Sequence, residues 1–497
     1  MKFKQLAIFM GAMSLLLVGC AQDTSEKVGQ EEAMSFSDLE VSTFTNVSVH
    51  DPSVVFADGT YYVFGSHLAS AKSDDLMNWT QLSTNVKDAG SIFGNIEEQF
   101  EEAMTWAETE TFWAPDAIQL ADGRYYFYYN TCKGDSPLSA LGLAVSDRIE
   151  GPYEDLGVFL KSGMWGEKSP AGSVYDATVH PNVVDPSVFF DQEGRLWMMY
   201  GSYSGGIYIL EMNPETGFPL EDQGYGKKIL GGNHLRVEAP YVLYNPDTEY
   251  YYLFLSFGGL EAVGGYNIRV ARSKTPDGPY EDANGLDMIK CKGKNGTFFD
   301  DSMAQAFGAK LMGNFQFNHV DGESGKKITS GYVSPGHNSA YYNEEDNEYY
   351  LIFHTRFTLR GEQHEVRVHQ MYFNEDGWPV IAPHRYTNQE QLDYSEADII
   401  GEYKFIDHGK DITKEVKISS LITLNVDHTI SGAVEGTWEY DRENKYLNVT
   451  VDDVTYKGVV SHQWNEETQC YVMTFSAMSE FGISVWGSKV AYESVEK

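Results

Sequence analysis

The sequence predicts an all-β protein: a five-bladed β-propeller followed by a small C-terminal antiparallel β-barrel domain. Three observations predict this fold class. One strand–turn–strand pattern recurs five times along the chain, each copy starts near a proline, and the copies lack helical periodicity. Aromatic residues make up 14% of the 497 residues, which is typical of β-rich proteins and of sugar-binding proteins alike.

Each copy of the pattern consists of a short apolar strand, a polar turn and an aromatic strand. The prolines near the five starts are Pro52, Pro115, Pro186, Pro240 and Pro335. The turns are Asp58-Gly59, Asp122-Gly123, Glu193-Gly194, Asp247-Thr248 and Asp346-Asn347. Polar turn residues between apolar runs indicate hairpins, most strongly where the pair is Asp-Gly. Each copy therefore predicts the first hairpin of one blade.

Further strands complete each blade. The second and fourth units end in "ALGLAVSDRIEGPYED" and "NIRVARSKTPDGPYED", and their shared Gly-Pro-Tyr-Glu-Asp marks them as equivalent. Five blades fit better than a sandwich, because every unit restarts with the same proline pattern. The long gap between the fourth and fifth units, residues 290–329, predicts an insertion.

Beyond the fifth unit, the chain changes character. Residues 385–399 are polar and predict a linker, and residues 400–497 contain short alternating strands separated by turn residues. This pattern predicts a separate antiparallel barrel. It contains no combination of acids and histidines that suggests catalysis, so binding of polysaccharide and support of the propeller both stay open. The propeller itself is predicted over residues 41–384.

The N-terminus predicts export. Lys2 and Lys4 precede an apolar run from Leu6 to Val18, which is too short for an ordinary spanning helix and predicts a signal peptide over residues 1–19. The ending Leu-Val-Gly-Cys resembles a bacterial lipobox, in which Cys20 carries the lipid. A plain secretory signal with a chance cysteine is the alternative. Residues 20–40 are polar and acidic and predict a flexible tether, so we expect an extracellular lipoprotein anchored to the cell membrane.

Charge and cysteine content limit the partners. The formal net charge of −37 disfavours nucleic acid and anionic lipid, so we expect membrane contact only through the lipid on Cys20. The charge suits a neutral substrate, although solubility alone explains it equally well. Lipidation leaves Cys132, Cys291 and Cys470, whose odd number and wide spacing predict neither a disulfide framework nor a zinc site. A single bridge from Cys132 to Cys291 stays open, and a monomer is expected.

Three acids occupy similar places in the repeats. Asp51 and Asp185 each precede the proline that opens blades one and three, and Glu238 lies just before Ala239-Pro240 in blade four. A residue before proline favours extended backbone, which suits entry to an inner strand. The first strands of the blades line the propeller axis, so the three carboxylates are expected to converge on one cleft. Neighbouring like charges separate pKa values, which glycoside hydrolysis requires. The structural alternative, acids that only form turns, is weakened by their common register.

The residues that carry this pattern also carry a family resemblance. The motifs "HDPSVV", "FWAPDAI", "VDPSVFF", "GSYSGGIY", "VEAPYVLY" and "SPGHNS" resemble glycoside hydrolase family 43, and most closely its endo-1,5-α-L-arabinanases. "FHTRF" followed by "HEVRVHQMYFNEDGWPVIAPHRY" resembles the longer members, which carry an extra C-terminal barrel. The resemblance implies endo-acting hydrolysis of α-1,5-L-arabinofuranosidic bonds in plant-type arabinan or arabino-oligosaccharides, with inversion at the anomeric carbon.

The resemblance also implies roles for the three acids. Asp51 would be the general base that activates water, and Glu238 the general acid that protonates the leaving oxygen. Asp185 would tune the pKa of Glu238 and orient the sugar. In inverting enzymes the base and the acid stand roughly 6.5–9.5 Å apart, which leaves room for the water.

Further site residues are predicted around these acids. His337 matches the arabinanase position that faces a cation on the propeller axis, usually calcium; the alternative is an axial histidine without metal, because calcium prefers oxygen ligands. Phe112 and Trp113 are predicted to lie against a sugar, or else to pack between blades. Ser204 and Gly205 are predicted to approach the substrate, or else to form a tight turn. Arg356 is predicted to bind a sugar hydroxyl or a carboxylate of the site, or else to form a salt bridge.

Two other functions remain open from the sequence. An exo-acting arabinofuranosidase or xylosidase has the same fold, because the loops between blades decide between an open groove and a closed pocket. A non-catalytic glycan-binding lipoprotein belongs to a different class, and the three acids in register disfavour it, since binding alone does not require a paired acid and base.

Overall fold

The structure is a computed structural model of the 497-residue chain and describes residues 33–36 and 39–492. The predicted signal peptide and Cys20 lie outside the described residues. Within the described part, no helix has the length and apolar character needed to cross a membrane.

Four antiparallel sheets of four strands form the first four blades, and within each sheet the strand order follows the chain. Blade one contains β1 (Ser53–Ala57), β2 (Thr60–Phe64), β3 (Ser70–Ser73) and β4 (Thr80–Ser83). Blade two contains β5 (Asp116–Gln119), β6 (Tyr125–Cys132), β7 (Ser139–Ser146) and β8 (Glu154–Ser162). Blade three contains β9 (Ser187–Phe190), β10 (Leu196–Tyr200), β11 (Ile207–Met212) and β12 (Lys227–Leu230). Blade four contains β13 (Val237–Asn245), β14 (Tyr250–Phe257), β15 (Asn267–Ser273) and β16 (Ala309–Met312).

Blade five is a larger sheet that includes a strand from the C-terminal part. Its own strands are β17 (Phe315–Gln316), β18 (Tyr332–Asn343), β19 (Glu348–Phe357), β20 (His364–Phe373) and β21 (Pro379–Ile381). Short helices lie outside the sheets: α1 (Gly90–Phe93), α2 (Ile96–Gln99), α3 (Glu101–Trp106), α4 (Glu396–Ile399) and three 3₁₀ turns at Ser66–Leu68, Met288–Lys290 and Asp301–Met303.

The blades close into a ring around one axis. In sequence order, β1, β5, β9, β13 and β18 contact one another, and β18 returns to β1. A separate apolar core fills each of the five junctions between neighbouring blades. Every turn predicted from the sequence joins the first two long strands of its blade, as in the pairing of Ala57 with Thr60 around Asp58-Gly59. The predicted fold class is confirmed.

The insertion predicted between the fourth and fifth units lies partly elsewhere. Residues 290–329 contain only two short strands, β16 and β17, and most of this gap is irregular. The irregular segment runs over residues 283–308, between the third and fourth strands of blade four, and we call it the blade-four insertion. The sequence located most of it, since residues 290–308 belong to both ranges, but did not detect β16, which is only four residues long and carries little periodic signal.

The C-terminal part is a closed barrel of eight strands. They are β22 (Gly401–Asp407), β24 (Ser420–Leu424), β25 (Thr429–Gly432), β26 (Gly436–Asp441), β27 (Tyr446–Val451), β28 (Val454–Asn465), β29 (Cys470–Ser479) and β30 (Ser484–Lys489). The remaining strand, β23 (Lys417–Ile418), leaves the barrel and pairs in parallel with β17 of blade five. The predicted residue bounds of the domains stay predictions.

Buried contacts join the barrel to the propeller. Lys404 of β22 donates a hydrogen bond of 2.6 Å to Glu323 of the propeller, and both side chains are buried. Residues 33–36, within the predicted tether, also contact the barrel: the ring of Phe36 stacks on His462 at 5.0 Å. The thiols of Cys132 and Cys291 are free, so the bridge left open by the sequence is not formed.

Candidate active site

Two of the predicted acids have an unexpected backbone conformation. Asp51 and Asp185 adopt positive φ angles of 58° and 56°, so the extended geometry predicted for a residue before proline is wrong at both positions. Aspartate tolerates the left-handed region better than most residues. At Asp51 the surroundings also hold it, because its backbone N–H donates to His354 Nδ1 at 3.1 Å.

Blade four presents its acid from a different backbone position. The residue before its proline, Ala239, has the positive φ of 56°, while Glu238 lies one residue earlier in β13. The pairing register of β13 with β14 shifts between Glu238 and Tyr241, which marks a bulge. The backbone N–H of Ala239 donates to Asp185 Oδ2 at 3.3 Å, so blades three and four meet at their acids.

Asp51 accepts hydrogen bonds from three sides. Ser66 Oγ donates to its Oδ2 at 2.5 Å, His50 Nδ1 lies 2.7 Å from the same oxygen, and His337 Nδ1 lies 3.0 Å from Oδ1. Burial tends to raise the pKa of Asp51, but the charges of His337 and His50 outweigh it and hold the pKa well below the usual value. Asp51 is therefore an ionised carboxylate, which a general base must be.

Glu238 has the opposite environment. Ser202 Oγ donates to its Oε2 at 2.7 Å and Tyr266 Oη to its Oε1 at 2.9 Å, and the side chain is buried. Burial raises the pKa of Glu238 above its ordinary value, although the charge of His337 opposes this. A buried carboxyl with a raised pKa keeps its proton to higher pH, which suits a general acid.

Asp185 lies within electrostatic reach of both acids. Burial raises its pKa, and the charges of Glu238 and Asp51 add to the shift while His337 opposes it. The three carboxyl groups are thus neighbours in one buried site, with environments that separate their protonation. A proton-donating group and an ionised group together can carry out single-displacement hydrolysis.

Among the charged neighbours of Asp51, His337 lowers the pKa of that carboxylate the most. Burial lowers its pKa, but the carboxylates of Asp51 and Asp185 outweigh this and bring the pKa to about 9. Its backbone N–H donates to Ser256 Oγ at 2.8 Å, which fixes the residue at a positive φ of 46°.

The donor atoms around His337 bear on the predicted calcium. Calcium takes six to eight oxygen ligands, whereas His337 offers one nitrogen beside the Nδ1 that contacts Asp51, and both oxygens of Glu238 accept hydrogen bonds. In the part of the chain that the structure describes, one group of three side chains has possible metal-ligand atoms within 4.8 Å of one another. It consists of His50, Asp51 and His354 and does not include His337. These residues therefore fit a calcium ion that keeps most of its water ligands and whose charge the acids would balance. They do not form a site in which protein oxygens surround the ion.

An open cleft of about 1050 Å³ leads to Glu238. Trp113 and Ser204 line it, together with Ser202 and Tyr203, so these two predicted substrate-binding residues are near the acid. The volume exceeds that of a typical small-molecule pocket and provides room for several sugar units.

The other predicted substrate-binding residues have structural roles. Phe112 is 0% exposed and packs against Phe100 at 5.2 Å and Tyr129, so the prediction that its ring lies against a sugar is corrected to the alternative of packing. A side chain on Gly205 would meet the carbonyl oxygen of His180 at 2.2 Å. The close approach of the His180 backbone, rather than a ligand, therefore requires glycine there.

Arg356 forms the salt bridge that the sequence left as its alternative. Its Nε donates to Glu362 at 2.6 Å, and Glu362 in turn accepts from the backbone N–H of Ala262 in blade four. The contact links the loops of blades four and five near the axis. Arg356 does not line the cleft that contains Glu238.

Several residues that hold the acids were not predicted from the sequence. His50 and His354 stack at 4.0 Å beside Asp51, and Ser202 and Tyr266 hold Glu238. His50 precedes Asp51 in "HDPSVV" and Ser202 lies in "GSYSGG", so both were inside quoted motifs. Tyr266 carries no sequence signal, since its approach to Glu238 depends on how β15 pairs within blade four.

Comparison with known proteins decides the family. The protein-family model described as "Glycosyl hydrolases family 43" matches residues 42–308, more than half of the chain. The chain belongs to glycosyl hydrolases family 43. A second model, "C-terminal lipocalin-like domain", matches residues 383–487 and covers the barrel strands β22 to β29. The family resemblance read from the motifs is confirmed.

Two named relatives of this family 43 chain match it over 90% of its length, and a third matches a smaller part. It is 59% identical over 90% of its residues to extracellular endo-α-(1→5)-L-arabinanase 2 of Bacillus subtilis, of which 94% is covered. The crystal structure of endo-1,5-α-L-arabinanase from Thermotoga petrophila matches at 49% identity with a TM-score of 0.86, covering 90% of this chain and all of that one. An extracellular exo-α-(1→5)-L-arabinofuranosidase of Cellvibrio japonicus is 26% identical over 67% of this chain, with 86% of that protein covered.

Proposed function

We propose that this family 43 enzyme cuts within linear α-1,5-L-arabinan and inverts the anomeric carbon. The observation that carries the proposal is the pairing of an ionised Asp51 with a buried Glu238 of raised pKa at the end of an open cleft. High identity to endo-acting arabinanases over the full length supports this substrate. The exo-acting relative is far less similar, so exo action is not favoured.

The proposed reaction is a single displacement. Asp51 Oδ removes a proton from a water that attacks the anomeric carbon, while Glu238 gives its proton to the leaving glycosidic oxygen. The glycosidic C–O bond breaks as the water oxygen forms its bond to carbon on the opposite face. Burial and the charge of Asp51 favour the protonated form of Glu238, and His337 with His50 keeps Asp51 ionised.

Product analysis tests the proposed substrate and mode of attack. Linear debranched arabinan should yield mixed oligosaccharides early, so chain length falls fast while reducing ends rise slowly. Xylan and 4-nitrophenyl arabinofuranoside are the comparison substrates and should be hydrolysed poorly. Arabinose as the sole early product would contradict endo action, and faster hydrolysis of xylan would contradict the substrate assignment.

We propose further that one calcium ion binds at His337 and displaces the proton that the imidazole otherwise carries at neutral pH, with water completing its shell and the acids balancing its charge. When bound, the ion would supply positive charge beside Asp51. We expect calcium to raise the melting temperature of the chelator-treated wild-type protein, since a ligand that binds only the folded state stabilises it. The variant His337→Ala should lose this shift, whereas His428→Ala, on the exposed surface of the barrel, should keep it. An equal calcium-induced shift in His337→Ala would contradict the assignment.

We propose that the protein is secreted and anchored through a lipid on Cys20. The motif Leu17-Val18-Gly19-Cys20 and the polar segment after it support the anchor, and the extracellular relatives support export. Cys20→Ser should release the protein from the membrane fraction or leave the signal peptide uncleaved. Ser25→Ala in the same polar segment serves as the control. Wild-type protein found wholly in the medium would refute the anchor.

A further inference from the structure

Large apolar side chains are exposed beside the cleft of an otherwise acidic protein. Phe298 and Phe299, in the blade-four insertion, are 66% and 45% exposed, and both line the cleft that contains Glu238. Trp165, from the connection between blades two and three, also lines it and is 55% exposed. Exposed aromatic rings grouped around one cleft indicate a binding surface, since scattered single residues would need no explanation.

The Phe298–Phe299 pair is held in place by neighbouring rings. The ring of Phe298 lies 4.5 Å from that of His234, and the ring of Phe299 lies 5.4 Å from that of Tyr203 in an edge-on arrangement. Tyr203 follows Ser202, the residue that donates to Glu238. The pair is therefore connected to the catalytic acid through one layer of side chains.

A salt bridge anchors the insertion to the residue directly before β13, the strand that carries the acid. Arg236, two residues before Glu238, donates to Asp301, and its Nε lies 2.9 Å from Asp301 Oδ2. The aspartate carboxylate is largely buried, which limits screening by solvent. The salt bridge and the ring contacts with Tyr203 and His234 thus hold the two phenylalanines in place, which favours recognition by a preformed surface over a loose loop.

We propose that Phe298 and Phe299 form a platform for sugar units that lie away from the bond being cut. Arabinofuranose presents C–H groups on its ring faces, and such apolar faces pack on aromatic rings. A chain of several α-1,5-linked units would contact both the acid and the platform, whereas a trisaccharide would depend mainly on the groups near Glu238. The inference rests on the proposed arabinanase function and assigns to these residues a preference for long chains.

The test compares kcat/KM on linear arabinan with kcat/KM on arabinotriose. The double variant Phe298→Ala/Phe299→Ala should lose about tenfold on arabinan, mainly through KM, because aromatic contacts of this kind are worth about one factor of ten in affinity. Its kcat/KM on arabinotriose should fall much less than its kcat/KM on arabinan. Phe298→Ala alone keeps the contact of Phe299 with Tyr203 and should show a smaller loss on the polymer. Replacing both residues by Tyr keeps the ring faces and should restore the preference.

Phe481→Ala is the matched control, since Phe481 is 43% exposed on the barrel, between β29 and β30. A double variant with the wild-type ratio of the two kcat/KM values would overturn the platform. An equal loss on both substrates would also overturn it, because that pattern indicates distortion around Glu238. A wild-type enzyme inactive on both arabinan and arabinotriose would overturn the proposed function and this inference together.

Discussion

Replacing Glu238 by Gln is expected to lower kcat on linear arabinan by about 10²–10⁴-fold, because general acid catalysis contributes about that much. Glutamine has the same shape but has no acidic proton to transfer to the leaving oxygen. A substrate whose leaving group needs no protonation, such as an aryl arabino-oligosaccharide, should be hydrolysed with a much smaller loss. Glu249→Gln, in an exposed turn of the same blade, removes an equal charge and should leave both rates unchanged.

The pH dependence of Glu238→Gln provides a second measurement on the same residue. Burial raises the pKa of Glu238, so the wild-type enzyme keeps its catalytic proton up to that raised pKa and loses activity as the pH rises through it. The alkaline limb of the kcat profile should therefore be absent from the residual activity of the variant. Equal losses on both substrates with an unchanged alkaline limb would contradict the assignment of Glu238 as the acid.

Replacing Asp51 by Asn should cause a loss of similar size, about 10²–10⁴-fold in kcat, with a different substrate pattern. The amide cannot accept a proton from water, and attack by this water is required whatever the leaving group. The loss should therefore be as large on the aryl substrate as on arabinan. Asp58→Asn, in the exposed turn of the same blade, is the control.

The contrast between the two variants separates base from acid. If Asp51→Asn were rescued by a good leaving group and Glu238→Gln were not, the two roles would be reversed. If neither variant lost activity, catalysis would lie elsewhere on the chain. Both side chains are buried and hydrogen-bonded, so thermal melting of each variant is measured first to show that the fold is kept.

The ring of blades was predictable because its signal repeats. Five prolines and five turn pairs indicate the same unit, so an error at one position does not change the conclusion. The exception is the fourth strand of blade four, where four residues after a long irregular segment give no readable period. The local sequence pattern predicts strands, whereas the length of the irregular segment between two strands depends on packing.

The three acids were predictable for the same reason, and their neighbours were not. Register in the repeats brought Asp51, Asp185 and Glu238 to one axis, but their positive φ or bulge depends on contacts between blades, such as the bond from Ala239 to Asp185. Phe112 and Trp113 are adjacent in sequence in the segment before β5, yet one lies in the core and the other lines the cleft. Motif identity alone does not tell which of two adjacent rings meets a ligand.

The anomeric configuration of the first product tests the central claim most directly, namely that Asp51 and Glu238 act together in one displacement. Proton NMR of linear α-1,5-arabinan digested by a large amount of enzyme is read before mutarotation equilibrates the new reducing ends. A single displacement by Asp51 and Glu238 predicts the β-anomer, because water attacks opposite the leaving group and no glycosyl-enzyme intermediate forms. Initial release of the α-anomer would contradict it, since retention requires a nucleophile in place of the general base.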